Sequence, residues 1–210
     1  MAEAGAKQAA DTALLDPEEL ARANLYGLVS RLFYAPADPK LLAEICRSET
    51  QAEEGSAEGQ LNAAWRALQD ACRSAYPAVV RQEYDDLLVG VGKAQVTPYL
   101  SAYAEPNAPD RYLVRLREQL AAWGLGRRET TFEVEDHVSG LSDTMRWLIE
   151  AHHPIAEQRR FFQDFVYPGM VPFLAAVQSA ASASFYKTVA SFVGAFVELE
   201  QTAFGMDEES

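Results

Sequence analysis

Glu83–Tyr103, EYDDLLVGVGKAQVTPYLSAY, is the stretch on which the fold of this chain is decided. It opens as the end of an apolar, acidic helix carrying Tyr84, Asp85, Asp86, Leu87 and Leu88, breaks at Gly90, and passes through a loop with a second glycine at Gly92. It restarts at Pro98-Tyr99-Leu100-Ser101-Ala102-Tyr103 and so gathers three tyrosines around one turn region. A connector is usually short and polar, whereas the segment from Gly90 to Pro109 is long, aromatic and stiffened by Pro98, Pro106 and Pro109. Such a loop suits binding, and we expect it to form one wall of a peptide-binding groove.

Helical patterns flank it on both sides. Upstream, Asp16-Pro17 with Glu19 forms a capped start, and Leu20, Leu25, Leu28, Leu32 and Phe33 recur at helical spacing until Ala35-Pro36. A short helix from about Pro39 to Arg47 follows, then the polar link Ser48–Gln60, which reads as flexible. Leu61, Ala64, Trp65 and Leu68 mark a third helix, and Val79, Val80, Tyr84, Leu87 and Leu88 a fourth. Downstream, Tyr112, Leu113, Leu116, Leu120 and Trp123 repeat along a helix that ends at Gly124. Another runs from Val138 through Met145 and Ile149 to His153-Pro154. The last third predicts helices at about Ile155–Phe165 and Val171–Ala180, separated by a Pro168-Gly169 break, and a long one over Phe185–Phe204. No segment sustains period-two alternation of β-branched residues, so the fold expected is all-α, a single globular bundle of about eight or nine helices. The domain spans 16–204, between a loose N-terminus at 1–15 and an acidic tail at 205–210.

Composition bounds the partners. With 31 Asp and Glu against 18 Lys and Arg the net charge is −13, the wrong sign for a phosphate backbone or an anionic bilayer. Nucleic acid and membrane insertion are therefore not expected. The N-terminus lacks a signal-peptide pattern and no apolar run reaches 18 residues, so a cytoplasmic protein is expected. Cys46 and Cys72 stand far apart with no CxxC, which argues for reduced thiols rather than a disulfide framework or a zinc site.

Among polar groups, Asp136-His137 with Asp143 is the most enzyme-like set, and a small hydrolase or nucleotide-dependent protein using these three is the alternative reading. Residues i and i+1 diverge by about 100° on a helix, so Asp136 cannot orient the His137 ring as a triad aspartate would, and an Asp there reads as a helix cap. His152-His153 reads as a solvated helix end. No metal or cofactor motif is present, since Gly90-x-Gly92 is too short to cradle a nucleotide. A structural accessory subunit that stays with a mature complex is a third reading.

Taken in order, these residues resemble the TorD/DmsD/NarJ family of molybdoenzyme-specific maturation chaperones. The first signature stands as Tyr84, Leu87, Leu88, Gly90, then Pro98, Tyr99, Ser101, Tyr103, with Leu88 in place of the usual Phe. The second stands as Val134-Glu135-Asp136-His137-Val138 followed by Asp143-Thr144-Met145, without the family's preceding proline. The third is Phe161-Phe162-Gln163-Asp164-Phe165 with Phe185-Tyr186 opening the last helix; Phe165 and Gly169 replace the family's His and Trp. The resemblance runs from about Arg22 to Glu200. It implies a non-catalytic cytoplasmic chaperone, monomer or dimer, without a cofactor of its own. Its partner would be the apo catalytic subunit of a molybdopterin oxidoreductase, bound at its N-terminal or twin-arginine signal segment and held for cofactor insertion, assembly and export. Independently, a reader of a basic, apolar peptide should offer carboxylates beside an aromatic surface. The expected peptide-binding residues are Tyr84, Leu87, Leu88, Pro98, Tyr99, Ser101, Tyr103, Asp136, His137, Asp143 and Trp147, with Asp85 and Asp86 adding charge.

Overall fold

Two of the predicted helix starts are built on side-chain caps. Asp16 accepts the Glu19 amide at 2.8 Å to open α1 (Pro17–Tyr34), and Asp38 accepts the Leu41 amide at 2.8 Å to open α2 (Pro39–Arg47). In both, proline occupies the first helical position, where its missing N–H costs nothing. The computed structural model describes residues 15–48, 57–90, 94–125 and 135–206. The remaining elements are α3 (Ala57–Ser74), α4 (Pro77–Tyr84), α5 (Ser101–Ala104), α6 (Pro109–Ala122), α7 (Val138–Glu150), α8 (Ile155–Phe161), α9 (Tyr167–Ser179) and α10 (Phe185–Met206). A π segment, Asp85–Val89, extends α4, and a second, Phe162–Val166, joins α8 to α9. Counting each continuous rod once gives nine helices, with no strand among the described residues, as the all-α expectation requires. The readings of residues 1–14 and 207–210 as termini, and of most of the Ser48–Gln60 link, lie outside the described residues. Residues 57–60 of that link, and Gly205 and Met206 of the expected tail, are helical.

The Pro168-Gly169 break does not exist. Helix continues from Ile155 to Ser179 because the wider π turn comes just before Pro168, where an α-helix would need the proline's absent N–H. Gly169 is demanded by packing instead of by a turn. A Cβ built there would lie 2.7 Å from both Cβ and the carbonyl oxygen of Leu100, so the α9 backbone approaches the tyrosine loop as closely as glycine allows.

The buried apolar residues form a contiguous core in which aromatic rings meet edge to face or at a tilt. Tyr26 meets Phe196 at 4.8 Å between ring centroids, Phe33 meets Phe173 at 5.2 Å, and Phe162 meets Phe204 at 5.2 Å. Ala23, Gly27 and Ser30 share one face of α1 and let it lie close to α7, with the Arg146 side chain passing over Gly27. Where α1 ends, its last carbonyls would be orphaned. The Tyr84 hydroxyl donates to Phe33 O at 2.9 Å and the Tyr186 hydroxyl to Leu32 O at 3.3 Å.

Two buried carboxylates fix the long helix α10. Glu83 accepts the amides of Ser184 (2.7 Å), Phe185 (3.0 Å) and Tyr186 (2.8 Å), so a residue of α4 caps the first turn of α10. Near the other end, Glu200 accepts Arg22 Nε at 2.7 Å and Nη2 at 3.0 Å, together with the Tyr26 hydroxyl at 2.8 Å. Arg22 Nη1 reaches on to Gln158 at 3.1 Å, which ties α1, α8 and α10 together. Burial and the neighbouring Glu200 hold the Tyr26 hydroxyl well above its usual pKa, so it stays a donor.

Gly169→Ala is expected to lower stability by about 1–3 kcal/mol, the usual range for overpacking a tight contact, while leaving the far-ultraviolet helical signal intact. Urea unfolding followed by circular dichroism checks this; an unchanged midpoint would show that α9 and Leu100 can separate freely.

Candidate functional site

The π register of Asp85–Val89 shapes the start of the site. Gly90, at φ 66°, closes it with its amide on Asp85 O, and the Leu87 carbonyl takes the amide of Val96 at 2.9 Å. The returning loop is thereby tied to the helix it left. Further on, Glu105 accepts Arg111 Nε at 2.9 Å and also pairs with Arg115, and these two guanidiniums hold its carboxyl below the usual range. Both ends of the tyrosine loop are thus fixed.

Between those ends the loop meets the start of α7. Leu100 N donates to Asp136 O at 2.9 Å and Val138 N to Pro98 O at 2.9 Å, an antiparallel bridge that sets Tyr99 opposite His137. Their rings lie edge to face at 5.5 Å. The Asp136 carboxylate accepts the Ser101 amide at 3.3 Å. The cap of α7 is His137 and not Asp136: its Nδ1 accepts the Ser139 amide at 3.2 Å and lies 2.7 Å from the Ser139 hydroxyl. Arg117 reaches Glu135 at 3.1 Å and braces the approach from α6.

The expected binding residues therefore separate into groups. Tyr84, Leu87, Leu88, Pro98 and Ser101 are buried, as are Asp136 (2% exposed) and His137 (4% exposed). They build the junction and present almost no surface of their own. Tyr99 and Tyr103 are half-buried; the Tyr103 hydroxyl donates to Thr97 O at 3.0 Å, and burial raises its pKa. Asp85 and Asp86 are exposed on the outer side of the π segment, with Val89 beside them at 59% exposed.

Asp143 and Trp147 belong elsewhere on α7. Asp143 lies at the surface with its carboxylate bonded to Ser30 of α1; partial desolvation raises its carboxyl pKa. Trp147 is about 15 Å along the helix from His137 and packs in a separate aromatic group. Its ring is 6.2 Å from Trp123 and 4.7 Å from His153. His153 is accordingly no solvated helix end: its ring packs edge-on to Trp123 and tilted against Trp147, with Nδ1 2.8 Å from Glu157. The three groups of the hydrolase reading are also divided, since Asp136 is spent on Ser101, His137 on Ser139, and Asp143 on α1.

Glu83 stands at the head of the quoted stretch, yet its role escapes sequence reading. Nothing in spacing signals that a mid-chain glutamate will cap a helix a hundred residues later. The bridge at Tyr99 and His137 is made by backbone groups and leaves no residue signature either.

A family model described as "Nitrate reductase delta subunit" matches residues 54–175, a span that holds the tyrosine loop, the bridge and the Phe161–Phe165 stretch. No curated protein matches the chain.

Asp136→Ala removes a buried acceptor and orphans the Ser101 amide, so a stability loss of about 1–3 kcal/mol is expected. Chemical denaturation measures it; a variant as stable as the parent would mean that the carboxylate plays no part in holding the junction.

Proposed function

The chain belongs to the nitrate reductase delta subunit family, a family of molybdoenzyme maturation chaperones, and from that membership we propose how it acts. It binds the N-terminal or twin-arginine signal segment of an apo catalytic subunit and holds that subunit for cofactor insertion, assembly and export. The mechanism is binding without turnover.

The observation that carries this reading is Tyr99. It is a half-buried aromatic held edge-on against His137 by two backbone hydrogen bonds and by buried neighbours on both strands of the bridge. A pre-ordered ring loses little conformational freedom when an apolar segment packs on it, so more of the burial free energy, about 25 cal/mol per Å², appears as affinity. Tyr103 extends the same surface. Asp85 and Asp86, exposed beside Val89, supply the charge complementary to a basic head, and their main effect is on orientation and association rate. The buried members of the set, Asp136 and His137 among them, act by positioning Tyr99. The net charge of −13 favours a basic partner at long range. Among the described residues no helix is long and apolar enough to cross a membrane.

Replacing Tyr99 by Ala is expected to weaken binding of the cognate N-terminal peptide about tenfold or more, the loss typical of an aromatic anchor, with the unfolding midpoint nearly unchanged. Isothermal titration calorimetry gives the comparison, with Asp85→Asn and Asp86→Asn expected to act mainly at low salt. Equal affinity in the parent and the Tyr99 variant would remove the assignment.

A further inference from the structure

The two free thiols, remote in sequence, are brought together by the packing of α2 on the C-terminal half of α3. Gln69 Nε2 donates to the carbonyls of Ile45 (3.1 Å) and Ser48 (2.7 Å), and Cys46 Sγ lies 3.9 Å from the Gln69 carbonyl oxygen. Cys72 follows Gln69 at i+3, on the same side of α3. Both cysteines line one open cleft of about 490 Å³, together with Pro39, Leu42, Arg47 and Arg73. Cys46 is half-buried, whereas Cys72 is only 5% exposed.

We propose that Cys46 and Cys72 form a modification site, a dithiol that a small anionic disulfide oxidises to an intramolecular disulfide linking α2 to α3. The division of labour follows from accessibility. Cys46 opens more to solvent and meets the oxidant first. Arg47, whose guanidinium is bonded through Nε to the Ala43 carbonyl, stands at the same cleft as the cation that draws in a carboxylate-bearing disulfide such as glutathione disulfide, Arg73 being paired with Asp70. Burial, with Cys46 close by, pushes the Cys72 thiol up to about 12, which makes Cys72 the slower, resolving thiol and leaves the first attack to Cys46.

In the first step the Cys46 thiolate attacks one sulfur of glutathione disulfide. A Cys46–glutathione bond forms, the original S–S bond breaks, and one glutathione leaves as thiolate. Cys72 then loses its proton to solvent and attacks the Cys46 sulfur, expelling the second glutathione. The dithiol gives up two electrons and two protons, and glutathione disulfide is reduced to two thiols. The product staples the end of α2 to α3, which no other covalent link among the described residues does.

The full chain, incubated folded with glutathione disulfide, tests this by intact mass and non-reducing peptide mapping. The expected product is a monomer lighter by two hydrogens, with the Cys46 and Cys72 peptides linked. Cys72→Ser should stop at one glutathione adduct on Cys46, and Cys46→Ser should stay unmodified. A parent protein that halts at the Cys46 adduct, remains fully reduced, or crosslinks only between chains would overturn the proposal.

Discussion

The carboxylate of Glu83, spread over three amides at the first turn of α10, is the contact on which the arrangement depends. A buried charge is costly unless it is fully hydrogen-bonded, and a helix N-terminus is one of the few places where backbone alone can do so. Once Glu83 is fixed, its neighbours have no freedom left. Tyr84 must turn to the end of α1, where it donates to Phe33, and Leu87 and Leu88 enter the core. The chain leaves through a π segment whose odd register frees the Leu87 carbonyl for Val96. One buried acid thereby positions the start of the tyrosine loop.

The far side of the loop is fixed by backbone instead of charge. Two amide–carbonyl bonds join Pro98–Leu100 to Asp136–Val138, and Gly169 lets α9 press against Leu100 from behind. A segment held from three directions behaves as part of the scaffold although it lies between helices. That rigidity is what the proposed binding role of the aromatic loop draws on. Tyr99 and Tyr103 are half-buried, and the bridge residues Pro98, Leu100, Asp136, His137 and Val138 around them are buried. Family membership supplies the kind of partner, a molybdoenzyme subunit.

Much of the fold was legible in the residues. The Asp-Pro starts of α1 and α2, the Gly124 end of α6 and the all-helical period all rest on local chemistry, which sequence states directly. Long-range packing was less visible. Pro168-Gly169 looks like a break because proline and glycine usually are; here a π turn absorbs the proline and a close approach requires the glycine. Asp136 and His137 look like surface anchors because they are polar, but their partners are the Ser101 and Ser139 amides, which sequence cannot show. The distance between Cys46 and Cys72 along the chain likewise hides their common cleft.

The central claim is that a client's N-terminal segment lies across Tyr99. Photo-crosslinking with a benzophenone side chain introduced at position 99, compared with the same probe at the exposed Val114 on α6, tests it most directly. The account predicts that position 99 captures the N-terminal segment of the apo catalytic subunit and that position 114 does not. Capture from position 114 with none from position 99 would contradict it.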